Sequence, residues 1–145
     1  MEKSVKLLHS VHRSKVSDAL GNGVKAASTF DALGLEMRRG VVYCWLRKQD
    51  DKMWGKRDDY VYLEVTVDED RCRIADMDFI SLALMYRQGS GGKPKNEEAA
   101  RLLAEVYRST SVRFSKYVPG MFWTPEVLVK GDIAPDWVRL IPQAV

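Results

Sequence analysis

Tyr60-Val-Tyr-Leu-Glu-Val-Thr-Val67 alternates without a break: Val61, Leu63, Val65 and Val67 point one way, and Tyr60, Tyr62, Glu64 and Thr66 the other. A two-residue period is that of a strand with one face in a core and one in water, a pattern typical of antiparallel sheets. The stretch runs into Asp68-Glu-Asp-Arg71, a turn, and Cys72 to Ala75 then reads as a further short strand. Upstream lies a strand of another kind. Val41-Val-Tyr-Cys-Trp-Leu46 is apolar on both faces and dense in β-branched and aromatic side chains, as suits the middle of a sheet.

On the N-terminal side, Val5 to His9 predicts a first strand, and Ser10 offers an N-cap oxygen for a helix with Val16, Ala19 and Leu20 on one face. Gly21 and Gly23 end that helix, and Val24 to Ser28 can return as a strand. Residues 29–39 read as a loop or short helix. Residues 47–59, polar and charged around Met53 and Trp54, predict a long exposed connection, and Phe79 to Tyr86 one or two helical turns. Gly89-Ser-Gly-Gly-Lys-Pro-Lys-Asn96 is a flexible loop without the Gly-Lys-Ser/Thr that a phosphate loop requires. Segments 47–58 and 89–95 are expected to be mobile.

Asn96 caps the clearest helix, whose predicted apolar stripe is Ala99, Leu102, Leu103, Val106 and Tyr107, with Glu97–Arg101 and Arg101–Glu105 as i,i+4 pairs. Val112 to Val118, Glu126-Val-Leu-Val129 and Trp137 to Ile141 read as the remaining strands, with a turn at Pro119-Gly120. Six or seven short strands and two or three helices make an α+β domain with a split or strongly bent antiparallel sheet, a single domain over residues 1–145.

Composition narrows the classes. The longest apolar run is the six residues Val41–Leu46, far short of the roughly 20 a membrane span needs, and no secretory apolar region follows the N-terminus. Cys44 and Cys72 read as reduced thiols of a cytoplasmic protein, and with only His9 and His12 beside them no zinc pattern is available. The net charge of +3 is unevenly spread. Residues 36–57 carry seven basic against three acidic side chains, residues 58–78 carry eight acidic against two basic, and the remainder turns basic again. Such segregation can build a basic face suited to phosphates, although a solvated surface of mixed sign gives the same composition.

Three stretches together resemble the ADP-ribosyltransferase-like superfamily. Leu7-Leu-His9-Ser-Val-His-Arg13, followed by a helix and Gly23-Val-Lys, looks like the opening of that fold: a strand ending in His, a helix, and a return through glycine and an apolar residue. Gly34-Leu-Glu-Met-Arg38-Arg-Gly-Val-Val-Tyr43-Cys-Trp is similar to the glycine-leucine, methionine, arginine and buried-strand series of RNA 2′-phosphotransferases, which also place an Arg four residues after the first His, as Arg13 follows His9. Pro125-Glu126-Val-Leu-Val-Lys-Gly-Asp-Ile-Ala-Pro-Asp-Trp-Val138 resembles the late strand of DNA-directed ADP-ribosyltransferase toxins, in which a catalytic Glu opens a strand.

The resemblance implies an NAD-using transferase with a nucleic acid or a protein as acceptor. Cleaving the nicotinamide–ribose bond passes through an oxocarbenium-like transition state, as glycoside hydrolysis does. Glu126 would stabilise that cation, or hold a ribose hydroxyl or the nucleophile. Arg13, Arg38 or Arg39 would grip the pyrophosphate, His9 would bond a ribose hydroxyl, and Tyr43 would stack on the nicotinamide. His9, Arg13 and Glu126 are then expected to line one cleft. Plain structural roles stay open: His9 bonded to backbone at a strand end, Arg13 solvated on a helix, Tyr43 in the core, Glu126 exposed at a strand start. Two other classes stay open with them, a catalytically inactive nucleotide- or RNA-binding module on the same fold and a small protein-interaction domain docking through Trp54–Tyr62 or Phe122-Trp123.

Overall fold

The computed structural model describes residues 3–27, 33–52, 57–89 and 95–142. Seven strands and three α-helices follow one another as β1 (Ser4–His12), α1 (Val16–Asn22), β2 (Val41–Cys44), β3 (Tyr60–Asp68), β4 (Cys72–Asp76), α2 (Met77–Gln88), α3 (Glu97–Thr110), β5 (Val112–Arg113), β6 (Pro125–Lys130) and β7 (Val138–Leu140). They form two antiparallel sheets, one in the order β1-β3-β7 and one in the order β2-β6-β4-β5. Leu8 and Trp45 exchange two backbone hydrogen bonds, of 2.9 and 2.8 Å, and so join β1 to the chain just beyond β2. The split antiparallel sheet expected from the sequence is present.

The alternation in β3 does what its period dictates. Leu63, Val65 and Val67 are wholly buried and meet Leu7 of β1 on the same face. Against them pack Val42 and Cys44 of β2, Cys72 and Ile74 of β4, and Val127 and Val129 of β6, every second residue of each strand. The other face of the four-stranded sheet carries Val41, Ala75 and Leu128, covered by Ile80 of α2 and Tyr107 of α3. Strand β6 is therefore buried on both sides, and for that reason reads as a continuous apolar run.

Several local expectations change. Strand β1 extends through Ser10 to His12, so Ser10 caps no helix and His9 lies inside the strand; a 3-10 turn at Arg13–Lys15 leads into α1 instead. The return at residues 24–28 reduces to one bridge, Val24 to Ile133, and Ser28 lies outside the described residues. Gly23, at φ +85°, is required there: a Cβ would overlap the carbonyl oxygen of Ile133. The 47–59 connection is not simply exposed. Asp50 and Asp51 are buried, the first bonded to Arg47 and the second accepting from the Tyr62 hydroxyl at 2.9 Å, which also buries the nominally outer Tyr62. Residues 53–56 of that segment and 90–94 of the glycine-rich loop lie outside the described residues.

Asn96 caps α3 as expected, accepting from the Ala99 amide at 3.0 Å. The buried face, however, is Ala100, Ala104 and Tyr107, while Leu102 is 62% exposed. Alanine at Ala83, Ala100 and Ala104 lets α2 and α3 approach closely, and the helix turns its small residues inward at the expense of the larger leucine. Glu97 pairs with Arg87 and Glu105 with Arg108 rather than with Arg101. Residues 114–116 form a 3-10 turn in place of the second half of the expected strand.

Candidate active site

Glu126 opens β6 on the face turned towards α3, and it is among the most buried charged residues, with 3% of its side chain exposed. The alternative of an exposed strand start is therefore excluded. Its Oε2 accepts two hydrogen bonds, from Arg38 Nη1 at 2.6 Å and from the Tyr107 hydroxyl at 2.7 Å, and Arg38 Nη1 also donates to the Tyr107 oxygen at 2.9 Å. Among the described residues Oε1 accepts none. Two donors thus converge on one carboxylate oxygen and leave the other uncommitted.

Each partner is placed by local chemistry. Arg38 ends a 3-10 turn (Glu36–Arg38) between Gly34 and Gly40, and its carbonyl accepts from the Tyr43 hydroxyl at 2.8 Å. The guanidinium lies over the Tyr43 ring, 4.8 Å from its centre, and over the Tyr107 ring at 5.4 Å. Burial pulls the Arg38 guanidinium down, but Glu126, Tyr107 and Tyr43 outweigh it and hold it above its ordinary value. Burial, then the charge of Glu126, pushes the Tyr107 phenol up, so it stays a donor across the working pH range.

The approach to Glu126 is fixed by Asp76, itself buried at the end of β4. Its Oδ1 accepts from the amides of Asp78 and Thr124, both at 3.1 Å, and its Oδ2 from the amide of Trp123 at 3.0 Å. One carboxylate caps α2 and clamps the two residues that lead into β6.

His9 lies on the face of β1 that carries Leu7 and Leu63 of the neighbouring strand, the core side of the three-stranded sheet. Beyond the Leu8–Trp45 pair its ring reaches across to β2, and Nδ1 donates to the Tyr43 carbonyl at 2.7 Å. A carbonyl can only accept, so Nδ1 carries the proton and Nε2 keeps its lone pair. Burial lowers the His9 pKa from its ordinary value, and the bond to Tyr43 offsets this only in part. The backbone-bonded role is realised.

Arg38, Tyr43 and Glu126, three of the expected site residues, come together, and His9 is tied to them through the backbone of Tyr43. Arg13 stands apart. It is exposed at the end of β1, donating to the Asp58 carbonyl, and makes no contact with Glu126 or His9. Arg39 turns outward, paired with Glu36 at 3.0 Å, where Arg38 turns inward. Glu126 faces α3 and His9 faces the core between the sheets, so the expected cleft of His9, Arg13 and Glu126 is not formed by direct contact. Tyr107 and Asp76 were not expected. Tyr107 hides in an apolar stripe, where only its hydroxyl hints at a buried polar partner, and the Asp76-Met-Asp78 spacing signals a helix cap.

Comparison with protein-family models, curated proteins and solved structures finds no match to this chain. Among the described residues no helix is long and apolar enough to cross a membrane.

Proposed function

We propose that the chain is an NAD-dependent transferase of the ADP-ribosyltransferase-like type, with Glu126 as its reaction-centre carboxylate. The observation that carries the reading is the Arg38–Tyr107–Glu126 cluster: a carboxylate at a strand start, held through Oε2 by a buried cation and a phenol, with Oε1 free. A carboxylate fixed by hydrogen bonds on one oxygen presents the other in a set position, and that preorganisation is what stabilises a developing cation. The two antiparallel sheets joined at Leu8–Trp45 are in keeping with the split sheet that the resemblance implies.

In this reading Glu126 Oε1 faces the anomeric carbon as positive charge grows on the ribose, or holds the acceptor's hydroxyl or amine and takes its proton. Arg38 keeps Glu126 charged and oriented through both states. Tyr43, packed under Arg38, offers the rest of its ring to the nicotinamide, and His9 Nε2 accepts from a ribose hydroxyl. Arg39, exposed beside Arg38, supplies a pyrophosphate contact. The acceptor is a nucleic acid or a protein.

A second reading has its own observation. Arg38 and Tyr107 cover Glu126 so closely that the same cluster serves a nucleotide- or RNA-binding module without turnover. Two measurements on wild type and Glu126→Gln separate the readings: the thermal shift with NAD and the release of nicotinamide. The enzyme reading expects NAD to stabilise both proteins, by about 2.7 kcal/mol at a hundred times the dissociation constant, while only the wild type releases nicotinamide. A shift without release in either protein leaves the binding module. No shift at all removes the transferase and an NAD-binding module alike.

A further inference from the structure

The four-stranded sheet holds a groove of about 820 Å³ beside the turn that carries Arg38. Its floor is apolar, from Val41, Leu128 and Cys72, all nearly buried, with Phe114 at the side. Its walls carry Arg71, Arg73, Arg113 and Lys130, besides the paired Arg39 and Glu36. The acids Glu69 and Asp70 lie at one end.

None of the four cations makes an ion pair among the described residues. Arg71 donates through Nε to the Lys130 carbonyl at 2.9 Å and through Nη2 to that of Asp132 at 2.6 Å. Arg73 donates through Nε to Ser111 Oγ at 2.8 Å and through Nη2 to the Ser111 carbonyl at 3.1 Å. Neutral acceptors orient a guanidinium without cancelling its charge. Among the described residues Arg113 and Lys130 have no side-chain partner, and Arg113 stands directly across from Arg73 in the β4–β5 register. Like charges facing each other on neighbouring strands oppose folding. Four cations outside any ion pair, outnumbering the acids of the groove and two of them locked in place, concentrate positive potential in a concave space. An anion between them would relieve the repulsion, and guanidinium pairs match the oxygens of phosphate.

We infer that this groove is a binding site for a ligand bearing two or more linked phosphates, whether a free polyphosphate group or a phosphodiester chain. None of the four cations belongs to the Glu126 cluster, and the groove shares with the transferase reading only Arg39, which neither the test nor its variants involve.

The test uses the full chain with two probes, inorganic pyrophosphate by calorimetry and a fluorescein-labelled twelve-nucleotide oligothymidylate by anisotropy, at 50 and 200 mM NaCl. The informative variant is Arg113→Gln/Lys130→Gln, because both side chains are exposed and hold nothing else in place. The control is Lys15→Gln/Arg101→Gln, which removes the same charge from exposed positions elsewhere. Binding to the wild type is expected to weaken with salt, with a log–log slope of about −2.8 for four contacts to a single strand, and the groove variant to lose about tenfold or more with a slope shallower by about 1.4. The control should stay within about twofold. Pyrophosphate binding that competes with the oligonucleotide identifies a polyphosphate group as sufficient, and oligonucleotide binding alone identifies the phosphodiester chain. Failure of both probes to bind the wild type, or equal losses in groove and control variants, overturns the proposal.

Discussion

Replacing Arg38 with methionine tests the central cluster most directly. The substitution keeps much of the side-chain length but withdraws the cation from Glu126, whose side chain is 3% exposed, and from Tyr107. Breaking a buried pair from one side costs about 3–5 kcal/mol, because the remaining charge stays desolvated. Losing the guanidinium from the faces of Tyr43 and Tyr107 adds about 1 kcal/mol. Arg38→Met should therefore destabilise the protein by about 4–6 kcal/mol at pH 7, read by urea unfolding of variant and wild type. Adding Glu126→Gln should restore most of that loss, since a neutral amide needs no counter-charge. A loss below about 1 kcal/mol, or a double variant no more stable than Arg38→Met, would refute the reasoning.

Other substitutions probe other supports. Asp76→Ala strands the amides of Asp78, Trp123 and Thr124 and should cost about 3 kcal/mol or more, whereas Asp76→Asn, which keeps one acceptor oxygen, should cost clearly less in the same urea assay. Gly23→Ala combines a left-handed φ with overlap on the Ile133 carbonyl and should lose more than about 2 kcal/mol; Gly34→Ala, at φ +71° with open space around it, should lose about 1 kcal/mol, and equal melting temperatures for the two variants would contradict this. His9 carries a folded-state pKa below its ordinary value of about 6.5, so the unfolded chain takes up that proton first as pH falls. Its contribution is complete above about pH 6.5 and declines below it, by at most about 1.4 kcal/mol per pH unit, until the folded-state value is reached. His9→Gln, whose amide can still donate to the Tyr43 carbonyl, should flatten stability against pH between 5 and 6.5; a slope identical to wild type would count against the buried neutral ring.

What the sequence discloses divides by the range over which each feature is decided. Strand β3 is legible because alternation is local and every inward residue is a β-branched or leucine side chain. The buried strand β6 and the Asn96 cap are legible for the same reason. The buried face of α3 is not, because small alanines mark it less plainly than a leucine would, and Leu102, the more conspicuous residue, faces solvent. Asp50 and Asp51 look like loop residues until Arg47 and Tyr62 are brought to them. Arg38 and Arg39 are neighbours of one type, and only the turn between Gly34 and Gly40 decides which of them meets Glu126. Glu126 itself could be singled out from its place before Val-Leu-Val, but its burial depends on Tyr107, nineteen residues away.

The strand order also sets the sequence of events by which the molecule can assemble. Strands β2 and β4 do not touch as neighbours; each pairs with β6, which arrives more than eighty residues after the first of them and about fifty after the second. A growing chain can close β1 onto β3 early, but the four-stranded sheet has to wait for its own centre. Distant pairing of this kind slows folding and leaves two open strand edges in the interval. Because Glu126 rides on that late-arriving strand, it joins Arg38 and Tyr107 only at the closing step. A partly made protein therefore carries the arginine and the phenol but not their carboxylate, and the cluster comes into being in the same event that seals the sheet.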